Sequence, residues 1–236
     1  MIDQELEKFV VESLKEDIQS GDHTSLACIN KANISNAEII AKNSGLIAGV
    51  ELAKYIFKKV DNKLILKQHF KDGDSVKKGD VILSISGTTL SILKCERLVL
   101  NCMQQMSAIA TKTNIICKKI ANTKTKILDT RKTIPLNRKI QKWAVKIGGG
   151  INHRFSLDDM IMIKDNHIDF CGGIAQAIQT TKKYLIANKL NLDIVVETRN
   201  FDEIKEVIDE GGIKRILLDN FDIAQTKKAV EIINNQ

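Results

Sequence analysis

Four short apolar runs in the second half of the chain, at 126–129, 160–164, 193–197 and 215–219, each end on a charged residue. Helix-like stretches follow them at roughly 137–146, 173–187, 201–210 and 222–233. Alternating β and α elements of this length mean parallel strands joined by crossover helices. Runs that are apolar at nearly every position fit a sheet buried on both faces. The charged ends recur in place: Asp129-Thr130-Arg131, Lys164-Asp165, Glu197 and Asp219 all fall at C-terminal ends of their runs. In (β/α) barrels that rim carries the active site. A lone charge after a strand ordinarily just opens a loop. Four in succession, cationic on two runs and acidic on two, point to a site.

The first half reads as a mixed α/β module. Helical patterns at about 4–19 and 49–60 flank short alternating runs such as 37–41. Then comes LKQHFKDGDSVKKGDVILSISG, with Gly73 and Gly79 six residues apart, each followed by Asp. Gly-Asp turns leading into alternating valines and isoleucines predict hairpins. The pattern is similar to the hammerhead halves of biotinyl and lipoyl carriers, but no modifiable lysine sits at a carrier-type tip, so it is read as architecture. Residues 90–121 form a long helical region with apolar positions every three and four residues. The expected division is an α/β, hammerhead-like N-terminal domain at 1–105 and an open, incomplete (β/α) barrel at 106–236, with the C-terminal end of the barrel missing.

Composition narrows the function. The chain has 236 residues, 43% hydrophobic and 28% charged, which is ordinary for a globular protein. No apolar run approaches the roughly 20 residues that span a bilayer. The opening MIDQELEKFVVESLKEDI is an acidic amphipathic helix rather than a secretion signal, so the expected compartment is the cytoplasm, with no membrane partner. Five scattered cysteines, none in a C-x-x-C pair or at metal spacing from a histidine, argue against a disulfide framework or a zinc site. A net charge of +7 permits nucleic-acid binding, but only 4% of residues are aromatic, too few for a base-stacking surface. A small anionic ligand is preferred to nucleic acid.

Much of that charge lies between Asp129 and His167. The segment holds Arg131, Lys132, Arg138, Lys139, Lys142, Lys146, Arg154 and Lys164 against only Asp129, Asp158, Asp159 and Asp165. It also contains His153, a GGG run and the only proline. Arg and Lys offer directed donors to carboxylate and phosphate. Arg131, Lys132, Arg154 and Lys164, with His153, suit a ligand bearing several anionic groups. Glu197 and Asp219 suit sugar hydroxyls or Mg²⁺, a hard ion that favours carboxylates, water and substrate phosphates. Together these point to a phosphorylated ribose. Neither a P-loop nor a dinucleotide fingerprint is present, and no nucleophile elbow appears.

The string DTRKT-x-P-x-x-R-x-x-x-K-x-A-V-x-x-GGG-x-NHR, followed by L-x-D-x-x-x-I-K-D-N-H, resembles the quinolinate phosphoribosyltransferases. The resemblance extends back to GDHTS at 21–25 and ERLVLN at 96–101, and forward to VVET at 195–198 and ILLDNF at 216–221. It covers nearly the whole chain in order. It implies a hammerhead-like domain beside an open barrel, in a homodimer with sites between subunits. The implied reaction joins quinolinate to phosphoribosyl pyrophosphate with Mg²⁺, giving nicotinate mononucleotide, pyrophosphate and CO₂. By the resemblance, Arg131, His153, Arg154 and Lys164 hold the quinolinate carboxylates. Arg97 reaches the partner subunit's site, and Lys132 and Lys164 face phosphate and pyrophosphate. Glu197 and Asp219 bind ribose hydroxyls directly or through Mg²⁺. Lys132, Lys164, Glu197 and Asp219 carry the catalytic burden, and Arg138 matches a basic position near the pocket.

Other readings stay open at this point. Asp129 either serves the site or caps the following turn. Asp165, Asn166 and His167 read first as loop-shaping groups, and Trp143 as helix packing. Gly148–Gly150 read as close backbone approach or positive φ. Where the family has Gly-Leu before the arginine of the T-x-P segment, this chain has Leu136-Asn137. Family members also run further, through loops that bind the ribose 5′-phosphate. A molybdenum-transport-associated paralogue and a truncated, non-catalytic anion-binding subunit are the alternatives.

Overall fold

Asp3 opens the first helix by accepting the Leu6 N–H at 3.0 Å, the side-chain cap that such a helix start favours. In the computed structural model, which describes residues 3–234, this helix is α1 (Gln4–Ile18). There follow α2 (His23–Cys28), β1 (Ile34–Ile40), β2 (Gly45–Leu46), α3 (Val50–Val60), β3 (Ile65–Gln68), β4 (Ser75–Val76), β5 (Val81–Thr88), α4 (Thr89–Lys119) and α5 (Arg138–Ile147). Then come β6 (Ile161–Ile163), α6 (Asp165–Cys171), α7 (Ile174–Ala187), β7 (Ile194–Thr198), α8 (Phe201–Glu210), β8 (Arg215–Leu218) and α9 (Ile223–Asn234). The chain divides into two compact units, meeting in sequence between His153 and Arg154. The outermost residues of the expected domains, Met1 and Gln236, lie outside the described residues.

In the first unit β5 is the central strand of an antiparallel sheet ordered β1-β5-β3. The two Gly-Asp turns are alike. Gly73 and Gly79 have φ of 93° and 97°, and Asp74 and Asp80 each accept the N–H three residues back, from Lys71 at 2.9 Å and Lys77 at 2.7 Å. The expected hairpins differ in one respect. β4 leaves the sheet to pair with β2, and β3 pairs with β5 across both turns. The cause is local: Gly73 donates to Ile47 O and Ile47 donates to Asp74 O, which draws this turn to the end of β2.

The long helix α4 is the spine of this unit. Ile92, Cys95, Val99, Cys102, Met103 and Met106 recur at helical spacing and are buried. Its polar side chains also serve the short strand: Thr111 Oγ1 accepts from Leu46 N and Ser107 Oγ from Ala48 N, both at 2.9 Å. α5 packs onto the same core through Ile140 and Ala144, with Trp143 at its margin, the packing role expected of that residue. Lys139 of α5 pairs with Asp3 and Glu5 of α1.

The second unit is a three-stranded parallel sheet ordered β6-β7-β8. Its helices follow the strands as the alternating pattern predicts. The central strand β7 is buried on both faces, while the outer strands are only partly buried. Ile163, Ile168, Ile174, Ile178, Ile194, Val196 and Val207 form its core. There is no closed barrel among the described residues.

Two local expectations are corrected. The run at 126–129 forms no strand, only a single parallel bridge between Leu128 and Ile151. Ile151 N donates to Ile127 O and Asp129 N to Ile151 O, but the His153 N–H goes to the Asp129 carboxylate instead of continuing the ladder. The short helix α6 was not anticipated. It begins where His167 Nδ1 accepts the Lys164 N–H at 3.0 Å, an N3 side chain reaching back to the cap as in a capping box. This agrees with the loop-shaping reading of His167.

Candidate functional site

In the first unit the site is organised by Asp129, whose side chain is only 6% exposed. Its Oδ1 accepts from Lys142 Nζ and from His153 N at 2.8 Å, and its Oδ2 accepts from Asn152 Nδ2. Lys142 Nζ also donates to His153 O at 3.1 Å, and Asn152 Nδ2 to Lys142 O at 2.9 Å. Asp129 is thus a buried anchor rather than a turn cap.

Arg131 lies two residues beyond this anchor. Its Nε is buried without a hydrogen-bond partner, an unusual state for a donor and one that calls for an acceptor. Arg138, in the first turn of α5, directs its Nε onto Thr133 Oγ1 at 3.1 Å, which steadies the loop between them. Lys132 is exposed on that loop. Arg97 is exposed on α4, off the face that α4 buries.

The glycine run behaves as its sequence suggests. A Cβ on Gly148 would lie 2.5 Å from Ala110 O, and one on Gly150 2.7 Å from a Val145 methyl, while Gly149 has φ of 94°. The run lets the chain press against α4 and then rise to Asn152 and His153. His153 is half-buried.

In the second unit Lys164 and Glu197 end neighbouring strands, with Nζ 3.5 Å from Oε2. Asp219 follows β8 and donates its N–H to Thr198 O at 2.9 Å, so the carboxylate sits one step beyond the ladder. Asn220 Nδ2 donates to Asp219 Oδ2 at 2.9 Å. Arg154 is 9% exposed and donates from Nη1 to Met160 O at 3.2 Å. It lines a cavity of about 330 Å³ with His167, Cys171, Thr180, Leu157 and Met160. Lys164, Glu197 and Asp219 do not line that cavity. Arg199, just beyond β7, is not available to a ligand in this arrangement, since Glu203 and Asp169 hold its guanidinium.

The residues chosen from sequence divide between the units: Arg97, Arg131, Lys132, Arg138 and His153 lie in one, and Arg154, Lys164, Glu197 and Asp219 in the other, where Lys164 and Glu197 pair with each other. Lys142 and Asn152 were missed. The one available signal was the four-residue recurrence of Arg138, Lys142 and Lys146 on α5, of which only Lys142 is buried.

Comparison with known proteins gives a consistent picture. Residues 22–107 match the model of the quinolinate phosphoribosyl transferase N-terminal domain, and residues 109–236 that of the C-terminal domain. The chain is 43% identical over 230 residues to quinolinate phosphoribosyltransferase (decarboxylating) 2b of Nicotiana tabacum, covering 92% of this chain and 65% of that protein. With the probable nicotinate-nucleotide pyrophosphorylase (carboxylating) of Bacillus subtilis it shares 39% identity, covering 92% and 73%. The crystal structure of NadC from Streptococcus pyogenes superimposes with a TM-score of 0.92 at 33% identity, covering 99% of this chain and 81% of that one. The chain thus spans about two thirds of the length of its plant relative.

Proposed function

The chain belongs to the quinolinate phosphoribosyltransferase family, and we propose that it joins quinolinate to phosphoribosyl pyrophosphate, giving nicotinate mononucleotide, pyrophosphate and CO₂ in NAD synthesis. The observation that carries this reading is the buried, unpartnered Nε of Arg131. A carboxylate is the acceptor that a guanidinium edge binds best. In this reading Arg131, His153, Arg154 and Lys164 hold the two quinolinate carboxylates. Lys132 and Lys164 meet the phosphate groups, and Arg138 acts through the loop it steadies. Arg97, exposed on α4, serves the neighbouring site of a homodimer.

Glu197 and Asp219 would receive the ribose hydroxyls and a magnesium ion. Magnesium commonly takes one or two carboxylates and completes its shell with water and substrate phosphates. A pair of carboxylates on adjacent strand ends fits that habit, and the described residues gather no larger set of His, Cys, Asp or Glu. When bound, the ion offsets charge on the departing pyrophosphate.

The protein's own share of the chemistry is orientation and electrostatics. As the C1–oxygen bond to pyrophosphate breaks, positive charge grows on the ribose, and the Glu197 carboxylate stabilises it. Arginine and lysine contacts to the quinolinate carboxylates hold the pyridine nitrogen in line with C1, so that an encounter between two molecules becomes an oriented step. The nitrogen lone pair forms the new bond. The quaternary ring then accepts the electron pair left when the adjacent carboxylate departs as CO₂, and a proton takes its place. No covalent enzyme nucleophile is needed. Incubation with both substrates and Mg²⁺, followed by chromatography, tests the reading. Nicotinate mononucleotide that requires both substrates supports it, and bound quinolinate without product refutes it.

A further inference from the structure

We infer that Lys142 is a positioning residue, whose buried ammonium holds the backbone from which the quinolinate-binding side chains project. The inference rests on the proposed function for its substrate and on geometry for everything else. Lys142 is 3% exposed, and lysine is almost never fully buried unless paired. Its Nζ donates both to Asp129 Oδ1 and to His153 O, while Asp129 accepts from His153 N. The peptide groups on both sides of His153 Cα are therefore tied to one ion pair. Arg131 follows the same anchor by two residues, inside a short turn in which Thr130 Oγ1 accepts the Lys132 N–H at 3.1 Å.

Three segments, separated by 11 to 24 residues, meet in this arrangement: the end of the 126–129 run, the middle of α5, and the stretch after the glycines. Asn152 completes it, with Nδ2 shared between Asp129 Oδ2 and Lys142 O. Behind it, Gly148 and Gly150 lie too close to Ala110 O and Val145 to admit a side chain. The stretch to His153 is thus clamped at its start by packing and at its end by charge. Buried ion pairs add little stability over apolar residues of equal volume, and their best attested use is to fix register. Lys142 is buried with its ammonium paired to Asp129 and is given no contact with the substrate. It acts through Arg131 and His153.

The test uses the full chain as wild type, Lys142→Met, His153→Ala and the double variant. Amide hydrogen exchange is read first, with no ligand. The inference predicts faster exchange at 151–153 and 130–132 in Lys142→Met, with α1 and α3 unchanged. Quinolinate affinity, by calorimetry, should fall about tenfold to a hundredfold, the scale of a misplaced contact, and phosphoribosyl pyrophosphate affinity by clearly less, since of its contacts only Lys132 lies in the loosened segments. Adding Lys142→Met to His153→Ala should cost much less than in the wild-type background, because coupled residues are not additive. Uniform loosening, equal loss for both substrates, or full additivity overturns the inference. If Lys142→Met does not fold, Asn152→Ala is read the same way. A wild-type chain that binds no quinolinate sinks the proposed function, and the exchange pattern alone then decides for or against Lys142 as the clamp.

Discussion

Lys164 Nζ stands 3.5 Å from Glu197 Oε2, joining the ends of two neighbouring parallel strands by opposite charges. The two side chains are unequal. That of Lys164 is 43% exposed and that of Glu197 only 12%, so the ammonium has room to turn towards an arriving anion while the carboxylate lies deeper. A 3.5 Å pair whose lysine is well exposed contributes little stability. Glu197→Gln should therefore leave the melting temperature nearly unchanged and lower kcat by about a hundredfold, the usual scale for one electrostatic group at a reacting centre. Steady-state kinetics beside a thermal melt check both halves.

Arg131→Ala should weaken quinolinate binding by about thirtyfold or more, on the scale of one lost charge-assisted hydrogen bond. Removing a buried, unpartnered donor should not destabilise the fold. Calorimetric titration reads the first effect and thermal unfolding the second, and a large drop in melting temperature would show that Arg131 is structural.

Gly148→Ala drives a methyl group against Ala110 O, a backbone atom that cannot step aside. Overpacking of this kind costs about 1–3 kcal/mol. A denaturant midpoint lower than wild type at an unchanged slope is the expected result.

Burial pushes the thiols of Cys95 and Cys102 up to about 12, so neither forms appreciable thiolate at neutral pH, and thiolate is the reactive form. Cys28 is exposed. Brief alkylation of the folded chain should label Cys28 and spare Cys95 and Cys102, as read by peptide mass spectrometry.

Burial raises the Asp72 carboxyl above its ordinary range, although Val50 N, which donates to it at 2.8 Å, pulls the other way. A carboxyl raised in the folded state binds its proton more tightly there than in the unfolded chain. Its ionisation therefore costs stability as pH rises through the window between the ordinary and the raised value. Asp72→Asn keeps an oxygen that can accept the Val50 N–H and removes that titration. Its stability relative to wild type should increase from pH 3 to 7, measured by urea unfolding at each pH.

Much of the fold was legible because its periods are local. The apolar spacing of α4, α7 and α8, and the continuous runs of β6, β7 and β8, announce themselves within a few residues. Positions 126–129 carried the same apolar signal and made one bridge, because strand formation depends on a partner. Here the partner pairs only at Ile151, and the next ladder amide, that of His153, goes to the Asp129 side chain. The site was legible as a set of residue types at strand ends. Its internal wiring was not. Lys142 reads in sequence as one cation among eight, and only the placement of α5 brings its ammonium to Asp129, thirteen positions away. Arg199 shows the converse: it is a cation next to a strand end that local carboxylates hold.

The most direct test supplies quinolinate labelled with ¹⁴C in the carboxylate next to the ring nitrogen. The proposed reaction predicts labelled CO₂ and nicotinate mononucleotide in equal amounts, only when phosphoribosyl pyrophosphate and Mg²⁺ are both present, and neither product from Arg131→Ala. Quinolinate bound by the chain with no CO₂ released under those conditions would contradict it.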